Sequence, residues 1–152
     1  MKIMCWNCCG LGNPKAIPIL GELIRVHRPD IVFLFETLVN SARIEVVRGR
    51  IGFENCFSVD CNGRSGGVSV FWHNKADCSL LSYSINHIDV IVHDTSVGNW
   101  RLTGFYGCPE RSRRHESWNM LRSLAASSSL PWSLIGDFND LLSQSDKRGR
   151  LE

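Results

Sequence analysis

Phe53-Glu54-Asn55-Cys56-Phe57-Ser58-Val59 opens the stretch that decides the fold. From there to Tyr106 the chain runs in short apolar pulses: Phe53–Val59, Gly67–Trp72, Ser79–Ser84, His87–His93 and Trp100–Tyr106. Each is short and rich in Val, Ile, Phe, Trp or Tyr, the residues that suit a pleated, half-buried surface. Asn62-Gly63 and Gly66-Gly67 supply turn signals between them. No apolar stripe at helical spacing crosses this region. The middle of the chain is therefore predicted to be a run of strands.

Toward the N-terminus the rhythm changes. Lys2–Trp6 is predicted as a strand and Gly10-Leu11-Gly12-Asn13-Pro14 as a loop. Asn13 is expected to cap a helix with Pro14 at its first position. Ile17, Leu20, Leu23, Ile24 and His27 recur at helical spacing, with Pro18 displacing the start by a turn. Arg28-Pro29-Asp30 ends that helix. Ile31–Phe35 is apolar throughout, the pattern of a strand buried on both faces, and Ala42–Arg48 reads as a short helix. Toward the C-terminus, Glu116–Ala125 reads as a helix with Trp118, Leu121, Leu124 and Ala125 on one face. Trp132–Ile135 is the last predicted strand, and a loop from Asp137 ends in the basic, polar Asp146–Arg150. Helices at both ends around a run of strands predict an α/β (α+β) domain. Two mostly antiparallel sheets form a sandwich with helices outside. A doubly wound parallel sheet would need more helices between strands.

Bulk composition narrows the function classes. The chain has 152 residues, 43% hydrophobic and 21% charged, which suits one globular domain with a real core. The net charge of +2 is too balanced to demand a polyanionic partner. Seven cysteines, an odd number without a regular framework, argue for reduced thiols rather than a secreted disulfide scaffold. Cys5 and Cys8 form a C-x-x-C, but no second ligand pair follows to complete four zinc ligands. The apolar run Ile3–Trp6 is too short for a signal peptide, and no stretch approaches a membrane span. A soluble intracellular protein, nuclear or cytoplasmic, with no membrane contact and a monomeric state, is the expectation. Gly10-x-Gly12 invites a dinucleotide-binding reading, but Lys15 stands where the third glycine belongs.

The chemistry is expected where apolar runs stop at oxygen-bearing side chains. Lys2–Trp6 stops at Asn7, Ile31–Phe35 at Glu36, Arg101–Phe105 at Tyr106, and Trp132–Gly136 at Asp137, with Asn139 two residues on. Strand ends in a sandwich can converge on one rim. A carboxylate held half out of a core is costly unless a cation or hydrogen bonds compensate. Such oxygen donors suit Mg²⁺ or Mn²⁺ rather than zinc.

Four blocks then carry a resemblance: Met4-Cys5-Trp6-Asn7-Cys8-Cys9-Gly10-Leu11, Phe33-Leu34-Phe35-Glu36-Thr37, Gly104-Phe105-Tyr106-Gly107 and Ile135-Gly136-Asp137-Phe138-Asn139-Asp140-Leu141-Leu142. In this order they resemble the endonuclease/exonuclease/phosphatase superfamily, which includes abasic-site endonucleases and deoxyribonuclease I. With Asn62–Trp72 they resemble most the endonuclease domain of non-LTR (LINE-type) retrotransposons. The resemblance implies a DNase I-like sandwich and Mg²⁺- or Mn²⁺-dependent hydrolysis of DNA phosphodiesters. It also implies roles. Glu36 would bind the metal, with Asn7 beside it. Tyr106 would contact the scissile phosphate. Asp137 would orient or deprotonate the attacking water, and Asn139 would fix that water and a phosphate oxygen.

The family also carries a later Ser-Asp-His block, which nothing here matches. His27, His73, His87, His93 and His115 all precede Asp137, and Leu38 stands where many relatives carry Lys. The whole of residues 1–152 is thus expected to be one domain lacking its C-terminal strands, and weak or inactive as it stands. Two alternatives stay open: a non-catalytic remnant that binds nucleic acid weakly, and a phosphatase or other phosphodiesterase on the same fold. The cluster Arg111, Arg113, Arg114 and His115 is read as a solvated surface before it is read as a phosphate contact. Trp6, Trp72, Trp100, Trp118 and Trp132 are assigned to the core.

Overall fold

A computed structural model describes residues 1–61, 66–141 and 143. Among the described residues eight strands form two four-stranded sheets: β1 (Ile3–Asn7), β2 (Ile31–Phe35), β3 (Asn55–Val59) and β4 (Val68–Trp72) in the order β1-β2-β4-β3, and β5 (Cys78–Ser84), β6 (His87–Val92), β7 (Trp100–Tyr106) and β8 (Trp132–Asp137) in that order. Helices α1 (Ala16–His27) and α2 (Ser41–Ile51) cover the first sheet, and α3 (Arg114–Ala126) covers the second. The fold is the α+β sandwich expected from the sequence. In each sheet two pairings of three are antiparallel. The turn expected at Asn62-Gly63 and the basic segment Asp146–Arg150 lie outside the described residues.

Alternation along β2 explains its unbroken apolar run. Ile31, Phe33 and Phe35 face the second sheet, where they meet Val90, Val92, Leu102 and Tyr106 in the central core. Val32 and Leu34 face Leu20, Ile44 and Val47 of the two helices. A strand covered on both sides has no polar face to show. On the far side of the second sheet, Phe105 packs with Leu121, Leu124, Trp118 and Phe138. All five tryptophans are partly buried against these clusters.

Several local expectations need correction. Helix α1 starts at Ala16, without a side-chain cap. Asn13 instead turns the loop, its Oδ1 accepting from the Lys15 N–H at 2.9 Å. Pro18 lies in the first turn, where its missing N–H costs nothing, so it does not delay the helix. His27 and Ala125 are exposed rather than core-facing. Helix α2 is longer than predicted. Asn40 caps it by accepting from the Arg43 N–H at 3.0 Å, and Gly52 ends it in the left-handed region. Among the described residues no helix is long and apolar enough to cross a membrane.

Candidate active site

Two crossovers place the site. β1 and β2 run parallel and are joined through α1; β7 and β8 run parallel and are joined through α3. Parallel neighbours end on the same rim, whereas antiparallel neighbours end on opposite rims. Asn7 closes β1 opposite Phe35, so Glu36, one residue beyond β2, emerges beside it. Tyr106 and Asp137 are register partners at the ends of β7 and β8. β1 and β8 are the edges through which the two sheets approach each other on that side, so the two pairs of strand ends meet.

Asn7 is the bridge. Its Nδ2 donates to Glu36 Oε1 at 3.0 Å and to Asp137 Oδ2 at 3.1 Å, while its Oδ1 accepts from the Cys9 N–H at 3.2 Å. The Tyr106 hydroxyl donates to Glu36 Oε1 at 2.5 Å. The Asn139 N–H donates to Asp137 Oδ1 at 3.1 Å, and Asn139 Nδ2 donates to Gly107 O at 2.8 Å. All five sequence-predicted site residues are therefore brought together. Glu36 and Asp137 touch one nitrogen, so they are at most two hydrogen-bond lengths apart. Asp137 is the last residue of β8 rather than the start of a loop.

Backbone strain concentrates here. Among the described residues five non-glycine residues have positive φ, and Cys9 (47°), Glu36 (53°), Leu38 (54°) and Asn139 (50°) are four of them. Such conformations persist only where the surroundings over-determine them. Three backbone hydrogen bonds frame Glu36 and Thr37: Gly10 N–H to Glu36 O (2.8 Å), Leu11 N–H to Thr37 O (2.9 Å) and Thr37 N–H to Gly67 O (3.2 Å). Gly67 must be glycine. Its φ is +87°, and a Cβ there would lie 2.3 Å from Thr37 Oγ1. The Gly66-Gly67 pair thus seats the strand that flanks Glu36. On the other sheet a Cβ on Gly107 would lie 2.0 Å from Phe138 O, so the chain around Asp137 and Asn139 packs directly on the backbone after Tyr106.

Two half-buried carboxylates share this rim, and neither forms an ion pair with a lysine or arginine among the described residues. Leu38, with its side chain at an exposed position, supplies no charge. Their shared negative charge is the environment a hard divalent cation fits. Among the described residues no three His, Cys, Asp or Glu side chains form a metal cluster, so an ion here would draw on Glu36, Asp137 and amide or water oxygen. The same environment acts on neighbours. Burial, then the Glu36 hydrogen bond and charge, hold the Tyr106 phenol well above its usual range, against a smaller opposing hydrogen bond with Asn139. Burial, then the Asp137 charge, raises the Cys5 thiol.

Sequence reasoning missed Asp140. It accepts from Trp118 Nε1 at 2.9 Å and from Arg114 at 3.3 Å, tying α3 to the segment that follows β8. Trp118 was visible only as a core residue. The expected basic cluster is largely spent internally, since Arg113 pairs with Glu116 at 2.9 Å and Arg114 with Asp140. Among the described residues no histidine hydrogen-bonds to the five candidate residues. His73 pairs with Glu54, His87 with Ser82 and Ser84, His93 with Ser79, and His115 with the Ser112 carbonyl.

The model of the Endonuclease/Exonuclease/phosphatase family matches residues 4–152. The chain belongs to that family. No curated protein matches it in sequence. Solved structures with the same fold include an AP endonuclease from Archaeoglobus fulgidus (16% identity, 98% of this chain and 61% of that one, TM-score 0.73). Another is D. rerio TDP2 complexed with a single-strand DNA product (17% identity, 93% and 61%, TM-score 0.64). A third is the Bacteroides thetaiotaomicron mannosyl-6-phosphatase Bt3783 (15% identity, 95% and 68%, TM-score 0.64). At these identities the likeness is one of fold. The chain spans 61% to 68% of the length of these three. The family's description names endonucleases, exonucleases and phosphatases. It leaves the substrate to the chain's own residues.

Proposed function

We propose that this endonuclease/exonuclease/phosphatase-family chain is built for divalent-metal-dependent hydrolysis of DNA phosphodiesters, as a retrotransposon-type endonuclease. The observation that carries the reading is the contact of Asn7 with both Glu36 and Asp137 while Tyr106 donates to Glu36. A phosphodiester repels nucleophiles through its charge. A bound Mg²⁺ or Mn²⁺ would neutralise that charge and polarise the phosphorus. Glu36 is the residue to hold it, with Asn7 beside it setting the spacing of the two carboxylates.

The remaining side chains act on water and phosphate. Asp137 accepts a proton from the attacking water and fixes its line of approach, a role that supplies about 10²–10⁴-fold in rate. Asn139, with one amide hydrogen anchored on Gly107 O, has its second to donate to a phosphate oxygen and its Oδ1 to accept from that water. Tyr106 turns its hydroxyl from Glu36 to a non-bridging oxygen as charge builds there. Among the described residues no histidine hydrogen-bonds to these groups, so the protonation of the leaving oxygen is not assigned to one.

The test is nicking of supercoiled plasmid by the chain at high enzyme concentration, with Mg²⁺, with Mn²⁺ and with chelator. Metal-dependent nicking that disappears in Glu36→Ala supports the reading. Nicking untouched by Glu36→Ala, or faster release of phosphate from inositol phosphates or sugar phosphates than from DNA, overturns it.

A further inference from the structure

Three carboxylates stand in or beside the candidate centre, and one is engaged differently from the other two. Glu36 and Asp137 have no lysine or arginine partner among the described residues. Asp140 has both oxygens occupied. Trp118 Nε1 donates to its Oδ2 at 2.9 Å, while Oδ1 accepts from Arg114 Nη1 at 3.3 Å and from the Leu141 N–H at 2.9 Å. Arg114 and Trp118 are one turn apart on α3, so one helix face supplies both side-chain donors. We propose that Asp140 is a positioning residue for the hydrolysis: by fastening the chain after β8 to α3 it holds Asn139, and through Asn139 also Asp137, in register with the centre. The proposal deepens the nuclease reading and rests on it for what this segment does, though not for how the segment is held.

The segment needs such a fastening. Asn139 has φ +50°, a left-handed conformation that costs most L-residues about 1–2 kcal/mol and that asparagine bears better than most. It persists where both ends are fixed. On the N-terminal side Phe138 is fixed. Its ring lies 5.7 Å from Phe105 and 6.4 Å from Trp118, and its carbonyl sits where a Cβ on Gly107 would come within 2.0 Å. On the C-terminal side Asp140 is the fixed point, since the Leu141 side chain that follows is 47% exposed. Between these two points the Asn139 N–H meets Asp137 Oδ1 and Asn139 Nδ2 meets Gly107 O. Trp118 belongs to both points, stacking on Phe138 and donating to Asp140, which makes α3 the template for the segment.

Charge explains why Asp140 anchors rather than joining the cation site. The Trp118 hydrogen bond, then that of the Leu141 N–H, hold its carboxyl below the usual range against a smaller effect of burial, and Arg114 adds to the lowering. A carboxylate satisfied in this way gains little from a further cation. Asp137, three residues earlier, keeps its charge for one.

The experiment uses the whole chain and two readouts. Exchange of the Asn139 N–H with deuterium, followed by NMR, reports the geometry without any activity. Nicking of supercoiled plasmid with Mg²⁺ or Mn²⁺ reports the reaction. Asp140→Ala and Trp118→Phe are each expected to speed exchange at Asn139 at least fivefold, while amides of β7 and α3 stay within twofold of the parent. Asp140→Asn, whose amide oxygen still accepts from Trp118, should restore most of the protection. Asp140→Ala should slow nicking by about 10–100-fold, with the KM for plasmid within twofold of the parent. In an Asn139→Ala background the same substitution should slow nicking less than twofold further, because the side chain it positions is gone. A contact that served stability alone would cost as much in either background. Unchanged exchange in both variants overturns the proposal, whatever the nicking shows. Faster exchange with an unchanged nicking rate overturns it too, as does an equal loss of nicking in the two backgrounds. A parent that nicks with neither metal overturns the nuclease reading and the claim on hydrolysis together, and exchange then separates that failure from a failure of the hold on the segment.

Discussion

Replacing Arg101 by methionine tests how the second sheet holds Tyr106 in place. Arg101 and Asp89 are 1% and 0% exposed. Arg101 Nε donates to Asp89 Oδ2 at 2.7 Å, and Nη2 lies 2.6 Å from the same oxygen without a well-directed hydrogen bond. Nη1 donates to Leu124 O near the end of α3 at 2.5 Å, and the guanidinium stacks 5.0 Å from the Trp132 ring centre. Asp89 keeps a 2.8 Å bond from Thr103 and a long 3.4 Å contact from Ser82. Arg101→Met preserves the stem but leaves a fully buried carboxylate short of its cation. Breaking one side of a buried pair costs about 3–5 kcal/mol. That is a large share of the ~5–15 kcal/mol available to a domain. For a chain of this length it lowers the melting temperature by roughly 6–20 °C. The double variant Asp89→Leu with Arg101→Met buries no charge and is expected to recover most of the loss. A residue of about 1 kcal/mol remains for the helix carbonyl left unpaired. Urea titration followed by circular dichroism measures all four proteins. A double variant as unstable as the sum of the two singles, or a single costing under about 1 kcal/mol, would refute the reasoning.

Other predictions follow from named contacts. Gly107→Ala places a Cβ against Phe138 O; it should cost about 1–3 kcal/mol and lower nicking more than stability alone explains, read by comparing both in the same preparation. Burial lowers the His87 pKa, against a smaller upward pull from Asp89 and with a further lowering by Arg101. Above the ordinary histidine value of ~6.5 both states are neutral at this site, so there is no penalty. As pH falls through that value the unfolded chain gains a proton the folded chain resists, and stability drops until the lower folded pKa is passed. Urea midpoints at pH 8 and pH 5 should therefore differ more in the parent than in His87→Gln. Cys9 is exposed, while burial raises the Cys8 thiol to about 11. A thiol reagent at pH 8 should label Cys9 well before Cys8, as mass spectrometry of digested protein would show.

The architecture was legible because its periodicities differ. Short β-rich pulses from Phe53 to Tyr106 and helical stripes at either end left little choice of class. Four of the five candidate residues were legible as polar stops to apolar runs, with Asn139 two residues beyond the last, and the family-like wording around them ordered the set. What joined them was less visible. Nothing in a linear reading says that β1 and β2, or β7 and β8, run parallel, although a helix between each pair is the required signature. Positive φ at Glu36 and Asn139 also left no mark, since neither is glycine. Of the glycines that oppose them, Gly67 read only as a turn residue and Gly107 only as part of a family-like block, until their close approaches to Thr37 and Phe138 were known. Asp140 escaped notice because its partners, Trp118 and Arg114, lie more than twenty residues away. His27 fitted the helical spacing but not the burial, because periodicity locates a stripe without fixing its width.

Titrating the chain with Mn²⁺ while following its melting temperature asks directly whether Glu36, Asp137 and their neighbours form one cation site. At a hundredfold excess over the dissociation constant a single site adds about 2.7 kcal/mol, or roughly 5–11 °C for a chain of this length. That rise is predicted for the parent and is predicted to be lost in both Glu36→Gln and Asp137→Asn. A rise that survives both substitutions, or no rise in the folded parent at any Mn²⁺ concentration, would contradict the account.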